Sequence, residues 1–510
     1  SNSFALAGSL TETGMPLLAN DPHLGVSMPG VWYQIGLHCT EVNDSCSFDV
    51  SGFSFSGLPG VVIGHNSDLA WGLTNMQADV SDFYLERLYP EGTYQRGDGV
   101  MPLATRTETI EVAGGDPFTI EVRSTEHGPI VSDVLGLDAV SGTPVPAGSP
   151  SGGLDGYAVS LAWTGLMPGR SIEAIFTLNR AATADDVAAA AVQLEAPAQV
   201  ILFATTAGDI GFHAPGRIPV RTTGITRAIP TDGSWPRPGW DSAYDWQGFV
   251  PAADMPHALN PAEGFIVAAN QTVISPTASP FLSADANYGF RSQRIRELLE
   301  EAVSMQDPVS GQDAQDIMMD SANPLAAKLV PLILRLDVED GFVADAVAIL
   351  EDWQDAGYPN DVDSPGAAYF NMVFAALLEA TFTDELPPSA APTADSRWMQ
   401  VTMGLLDDPQ NEWWDDVTTR TVTEERDEIL LRSLETARGQ LTNILDKDPS
   451  DWRWGDLHQL HLTHSVLSPD VLPWPIAGFL NPAPFAPAGG SESVNATAGD
   501  YSMGADGRFD

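Results

Sequence analysis

Ser1-Asn2-Ser3-Phe4-Ala5-Leu6-Ala7-Gly8-Ser9-Leu10-Thr11-Glu12-Thr13-Gly14-Met15-Pro16-Leu17-Leu18-Ala19-Asn20-Asp21-Pro22-His23-Leu24 is the stretch from which the rest of the chain is read. The serine that opens it carries a hydroxyl and an α-amine on one residue. A serine hydroxyl is a weak nucleophile until a base takes its proton, and an α-amine, with an ordinary pKa of about 7.7–8.0, is such a base. A passive terminus is the alternative reading of the same residue. The apolar run Phe4 to Leu10, the turn at Thr13-Gly14 and the second run Met15 to Ala19 predict a hairpin. That hairpin returns Asn20-Asp21-Pro22-His23-Leu24 toward Ser1.

Working outward, the 510 residues are 43% hydrophobic and 8% aromatic, the composition of an ordinary globular chain with a large core. A net charge of −46, from 69 acidic and 23 basic residues, excludes nucleic acid as a partner, because phosphate binding is driven by Lys and Arg. Lys328 and Lys447 are the only lysines, and the acids are dispersed; an acid-covered, lysine-poor surface suggests a high-salt setting, where self-repulsion is screened. An acidic secreted protein from ordinary salinity is the alternative. Cys39 and Cys46 flank a turn-forming segment and read as a disulfide in an oxidising compartment, periplasmic or extracellular, or else as two thiols. No apolar run is long enough to span a membrane, and the start without a leader reads as that of a mature chain.

Alternating segments at Tyr33–His38, Thr107–Val112 and Phe118–Val122 predict strands over the first 280 residues, with helices at Ser171–Arg180 and Ala184–Leu194. From Arg291 apolar residues recur at helical spacing, around 294–303, 329–336, 342–350, 369–378 and 429–445. The expected organisation is a core over 1–290, a helical insertion over 291–450, and a return to the core over 451–510. The stretch 143–156 is the most linker-like segment.

Further motifs fall in order along the chain: Gly64-His65-Asn66, Trp71-Gly72-Leu73-Thr74-Asn75, His127-Gly128-Pro129, Ala268-Ala269-Asn270-Gln271, Phe290-Arg291-Ser292-Gln293-Arg294-Ile295 and Trp454-Gly455-Asp456-Leu457-His458. With the opening block, this series resembles the β chain of the penicillin acylase family, N-terminal-nucleophile amidohydrolases cut from a self-processing precursor. The resemblance implies an α+β fold, an αββα sandwich of two antiparallel sheets with the serine on a central strand and a helical insertion. It also implies an α chain from the same precursor as partner in an αβ heterodimer. Family chains run on beyond the glycine-rich Gly489–Asn495 into a last strand pair, so the end at Asp510 reads as truncated.

The resemblance assigns roles residue by residue. Ser1 is nucleophile and base, and the Asn270 side chain and the Asn75 N–H are the oxyanion donors. His23 contacts the nucleophile's amine through a neutral imidazole, and Arg291 is a cation that holds the amine deprotonated. Read from the residues alone, Asn270 also suits a turn after a strand, His23 a cap on an Asp-Pro turn, and Arg291 a solvated helix start. Calcium is implied at Asp79, the Ser81 carbonyl, Asp82 and the Pro219 carbonyl, as hard oxygen donors; an expected aspartate between Asn270 and Arg291 has no counterpart except the late Asp285. Asp79 and Asp82 read equally as loop acids. No organic cofactor is implied. His458, His461 and His464, at three-residue intervals, do not converge on one point of a helix and are not read as ligands.

Leu24, Ile63 and Leu73 occupy the family's acyl-pocket positions, where benzyl-type members carry aromatics at the first two and a small polar residue at the third. Branched aliphatic walls favour apolar acyl chains. The expected activity is hydrolysis of a small N-acyl amide through an acyl-Ser1 intermediate, with aliphatic substrates such as acyl-homoserine lactones or aliphatic penicillins ahead of phenylacetyl compounds. The rival is a non-catalytic acidic secreted binding protein.

Overall fold

The computed structural model describes residues 1–510 except 44, 133, 137–155, 225, 276, 306–307, 394–395, 469–470, 498–508 and 510. The linker-like stretch 143–156 lies outside the described residues but for Gly156, and so does the C-terminal end but for Phe509.

The opening hairpin forms as expected. Asn2–Leu6 pairs antiparallel with Leu17–Asp21, Asn2 opposite Asp21, and on its other edge with Phe265–Ala268, Ser3 opposite Ala268. It is therefore the central strand of a three-stranded sheet. Because side chains alternate across a strand, Phe4 and Leu6 bury on one face against Ile295, Leu299 and Ile317, from the helices Phe290–Met305 and Gly311–Met318. Full burial of each contributes about 1.5–3 kcal/mol. Ala5 points the other way, onto Leu202 and Ala204.

Those two residues lie on Gln199–Thr205, in a seven-stranded antiparallel sheet that also contains Leu69–Asn75 and, at one edge, Trp32–His38. The alternation repeats there. Ile201 and Phe203 face away from the small sheet and pack under the helices Ser171–Asn179 and Ala184–Gln193. Thr183 and Asp186 close a capping box at the start of the second helix. Layers thus run helix, sheet, sheet, helix: the fold is the αββα sandwich.

Among the described residues, two more sheets sit outside this sandwich. Ala104–Ile110 and Phe118–Ser124 pair with each other and are largely exposed. Ser81–Tyr89 lies between Gly156–Trp163 and Thr93–Arg96, with Arg237–Pro238 alongside in parallel. Cys39 and Cys46 form a disulfide, Cα atoms 5.9 Å apart, across the loop joining Trp32–His38 to Asp49–Phe55.

The helices at Phe290–Met305 and Gly311–Met318 form the outer layer over the Ser1 strand, and a second apolar core gathers residues from Leu325 onward. That second core surrounds Pro365–Phe382, whose apolar residues run around its whole circumference because it is enclosed by Ala326–Ile333, Gly341–Asp355 and Arg426–Ile444. Among the described residues no helix is long and apolar enough to cross a membrane.

Candidate active site

Ser1 stands at the end of the central strand, beside the ends of three others. The hairpin register brings Asp21 opposite Asn2, and Pro22 then turns the chain so that the backbone N–H of His23 donates to Ser1 Oγ at 3.2 Å. Asn20 ties this strand end to the large sheet, its Nδ2 donating to the carbonyls of Asn2 (3.0 Å) and Leu73 (3.3 Å). Gly72 permits that approach, since a Cβ there would lie 2.7 Å from the Asn20 side chain.

Asn270 follows the strand Phe265–Ala268 with φ of +69°, a left-handed conformation that asparagine tolerates better than most residues. Its Oδ1 accepts from the Ser1 α-amine at 2.7 Å and from Arg291 Nη2 at 3.0 Å, while its Nδ2 donates to the Asn75 carbonyl at 2.8 Å. Two donors on one side and an acceptor on the other fix which amide atom is which. An amide nitrogen carries two hydrogens; one holds Asn75 and the other is left for a ligand oxygen. Asn75 ends the strand Leu69–Asn75.

Arg291, at the start of its helix, is buried. Its Nη1 donates to the Ser1 carbonyl (3.0 Å) and to Asn2 Oδ1 (2.6 Å), and its Nε lies 3.7 Å from Glu492 Oε2. Burial, and then the Arg291 charge, lower the α-amine from 8.0 to about 4, against the opposing pull of Asp21 and Glu492. A neutral amine offers a lone pair, so one N–H can hold Asn270 while the lone pair faces the hydroxyl.

His23 departs from expectation. Its contact with the nucleophile is made by the backbone N–H, whereas the imidazole Nε2 bonds Asp21 Oδ2 at 2.9 Å. The Asp21-Pro22 corner aims the amide inward and leaves the ring beside the aspartate. Burial keeps that ring below its ordinary pKa.

A cavity of about 660 Å³ opens on Ser1, with Asn75, Asn270 and Arg291 in its lining. Leu24 and Leu73 line it. Ile63 does not; its neighbour Val62 does, because adjacent residues of an extended segment face opposite sides. Trp32 and Phe55, stacked with ring centroids 4.5 Å apart, also form part of the wall. They face each other across the pair Trp32–His38 and Asp49–Phe55, a pairing that only the register reveals.

The residues expected to hold calcium do not fit it. Calcium takes six to eight oxygens, but the Asp79 carboxylate is paired with Arg221 Nη2 at 2.9 Å and Asp82 with Arg221 Nε at 3.1 Å. Arg237 Nε stands 3.3 Å from the other Asp82 oxygen, and Trp246 Nε1 donates to that carboxylate as well. Ser81 is exposed and Pro219 buried. Asp285 pairs with Arg397. His458 is buried against Trp454, ring centroids 4.8 Å apart, and bonds Thr497 Oγ1 at 3.0 Å.

Sequence reading gave no role to Asn2, Asn20, Asp21 or Glu492. The predicted hairpin brings Asn20 and Asp21 back toward Ser1, but it does not show which atoms they bond, and Glu492 arrives across nearly the whole chain with no local signal.

A family model described as penicillin amidase matches residues 1–509. The acyl-homoserine lactone acylase QuiP of Pseudomonas aeruginosa is 28% identical over 97% of this chain and 59% of its own length. Penicillin acylase 2 proenzyme of Pseudomonas sp. strain SE83 is 27% identical over 97% of this chain and 58% of its own length. This chain therefore spans a little over half the length of these curated relatives. A solved structure of a thermostable penicillin G acylase from Alcaligenes faecalis superimposes with a TM-score of 0.66 at 21% identity, over 89% of this chain and 80% of that one, a likeness of fold.

Proposed function

The chain belongs to the penicillin amidase family, and from that membership together with the arrangement around Ser1 we propose that it is the catalytic chain of an N-acyl amide hydrolase working through an acyl-serine. The observation that carries this reading is the junction of nucleophile, amine and Asn270 at the mouth of an apolar cavity. Ser1 Oγ attacks the acyl carbon while its proton passes to the neutral α-amine. The negative oxygen of the tetrahedral intermediate is received by the second Nδ2 hydrogen of Asn270 and by the Asn75 N–H. The amine then returns the proton to the leaving nitrogen, the C–N bond breaks, and water attacks the acyl-Ser1 ester by the same route to release the acid.

The substrate is an aliphatic N-acyl compound of the acyl-homoserine lactone or penicillin type. Leu24, Leu58, Val62, Leu73, Ile172 and Ile175 give the cavity an apolar wall, and each CH₂ buried there contributes about 0.8 kcal/mol. The names of the relatives point the same way. The stacked Trp32 and Phe55 favour a second reading, a flat arylacetyl group. The functional protein is an αβ heterodimer with the chain segment preceding Ser1, in a periplasmic or extracellular setting that suits the disulfide.

Incubating that heterodimer with a graded series of N-acyl-homoserine lactones and with a phenylacetyl amide tests the reading. Rising kcat/KM along the aliphatic series supports it, and preference for phenylacetyl shifts the assignment to the aromatic pair. A small sulfonyl fluoride should label Ser1 once per chain. An unlabelled, inactive Ser1 would favour the binding-protein alternative.

A further inference from the structure

The strand Ser81–Tyr89 has a buried face made of Asp82, Tyr84 and Glu86, every second residue, where apolar side chains are the rule. Charges on such a face require partners. Two arginines supply them at the Asp82 end. Arg221 bridges two acids, its Nε on Asp82, its Nη2 on Asp79 Oδ1 at 2.9 Å and on the Asp79 carbonyl at 3.2 Å. Arg237, wholly buried, lies against Asp82 and donates to the carbonyls of Tyr244 and Thr231.

Two carboxylates against two guanidinium groups leave no negative charge to attract a divalent ion. The backbone is shaped to this pairing. Gly233, at φ of +98°, lies against it, and a Cβ there would come within 2.6 Å of both Arg221 Nε and Asp82 Oδ1. Asp79 lies four residues beyond Asn75, its N–H fastened to the Leu282 carbonyl at 2.8 Å.

We propose that Arg221 is a covalently built-in cation standing where a divalent ion would otherwise join Asp79 to Asp82, and that removing its guanidinium uncovers a calcium site. The protein is then metal-independent by construction. The role of Arg221 is positional: it ties the segment after the Asn75 strand to the 219–237 segment.

The test compares the full-length processed protein with its Arg221→Ala variant, each freed of metal by chelation and gel filtration. Calcium is titrated to about 10 mM, ten times the weakest dissociation constants, of about 10⁻³ M, of extracellular calcium modules, at constant ionic strength. The wild type should hold no stoichiometric calcium by elemental analysis, and its melting temperature should move with neither calcium nor chelator. Arg221→Ala should melt lower and recover saturably with calcium, one ion per chain, over and above the gradual rise that sodium chloride gives wild type and variant alike. One calcium ion retained per wild-type chain, or a fall in its melting temperature on chelation, overturns the proposal; so does a folded Arg221→Ala that calcium leaves unmoved. If the alanine variant does not fold without metal, its refolding yield should rise with calcium, and failure to do so counts against the latent site. The wild-type arm decides the metal-independence in every case.

Discussion

Replacing Arg291 by glutamine should move the acid limb of the pH–rate profile upward by about two pH units. The α-amine of Ser1 is lowered from 8.0 to about 4, by burial first and by Arg291 second, a change equivalent to roughly 5 kcal/mol in favour of the neutral base. The share owed to Arg291 follows from geometry. Both the amine and Arg291 Nη2 bond Asn270 Oδ1, at 2.7 and 3.0 Å, so their nitrogens lie within about 6 Å of each other. At an effective dielectric of about 20 that separation gives about 3 kcal/mol, or about two pH units. The limb should then stand near pH 6 in the variant. At pH 5 kcat/KM falls about tenfold relative to the variant's own plateau, because kcat/KM follows the base of the free enzyme.

The assay is a kcat/KM profile from pH 3.5 to 8.5 on an N-acyl anilide, with sulfonylation of Ser1 as the check that the site is assembled. Four neighbouring groups supply controls. Arg291→Lys keeps the cation and should leave the limb close to its place. Glu492→Gln removes a carboxylate that raises the amine and should shift the limb the other way, as should Asp21→Asn. His23→Gln should leave it in place, because the imidazole bonds Asp21 rather than the nucleophile. A limb that stays near 4 in Arg291→Gln, or a wild-type limb near 8, refutes the reasoning.

Asn270→Ala should lower kcat by about 10²–10³, the cost of one lost oxyanion donor, while the variant keeps its thermal unfolding transition; near-normal turnover would remove Asn270 from the mechanism. His127 lies buried between Glu86 (2.8 Å) and Asp245 (3.2 Å); burial alone would lower its pKa, but the two carboxylates outweigh it and raise it. A raised folded pKa contributes stability that is fully present below about 6.5 and lost as pH rises through the folded value, so His127→Gln should cost about 3–5 kcal/mol at pH 5.5 and less at pH 9, read by denaturant unfolding at both. Stability should climb with NaCl, since going from about 0.01 M to about 1 M shortens the screening length from roughly 30 Å to roughly 3 Å around a chain with net charge −46; a melting temperature that is flat or falling refutes the high-salt reading.

Periodicity predicted strands and helices, the resemblance implied the sandwich, and the alternation within the strands is what makes its layers. Phe4, Ala5 and Leu6 differ only in which way they point, and that alternation assigns Phe4 and Leu6 to the helices and Ala5 to the facing sheet. The site was legible in a different way. Asn270 read alone as a turn residue, and it is one, with φ of +69°. That turn is also what swings its amide between the Ser1 amine and the Asn75 carbonyl, so the bland reading and the catalytic one describe a single conformation. Glu492 and Asn2 could not be read: Glu492 reaches the site across nearly the whole length of the chain, and nothing in the sequence around Asn2 sets it apart from any other strand residue.

The arginines are what the sequence around Asp79 and Asp82 does not show. Two aspartates three residues apart carry the same pattern whether a metal or a guanidinium lies between them, and Arg221 enters from 139 residues away. A chain with 23 basic residues against 69 acidic ones nevertheless buries Arg221, Arg237, Arg291 and Arg438 in its interior. Each acts there as a fixed counter-charge or carbonyl donor, at Asp82, Ser1 or, for Arg438, the carbonyls of Phe342 and Lys447. Asp82, Glu86, Glu424 and Glu492 are buried as well, so the interior balances its charges and the net −46 of the chain stays on the exterior. The arginines inside thus hold the Ser1 carbonyl and the Asp79–Asp82 carboxylates, while it is the exterior charge that the NaCl series probes.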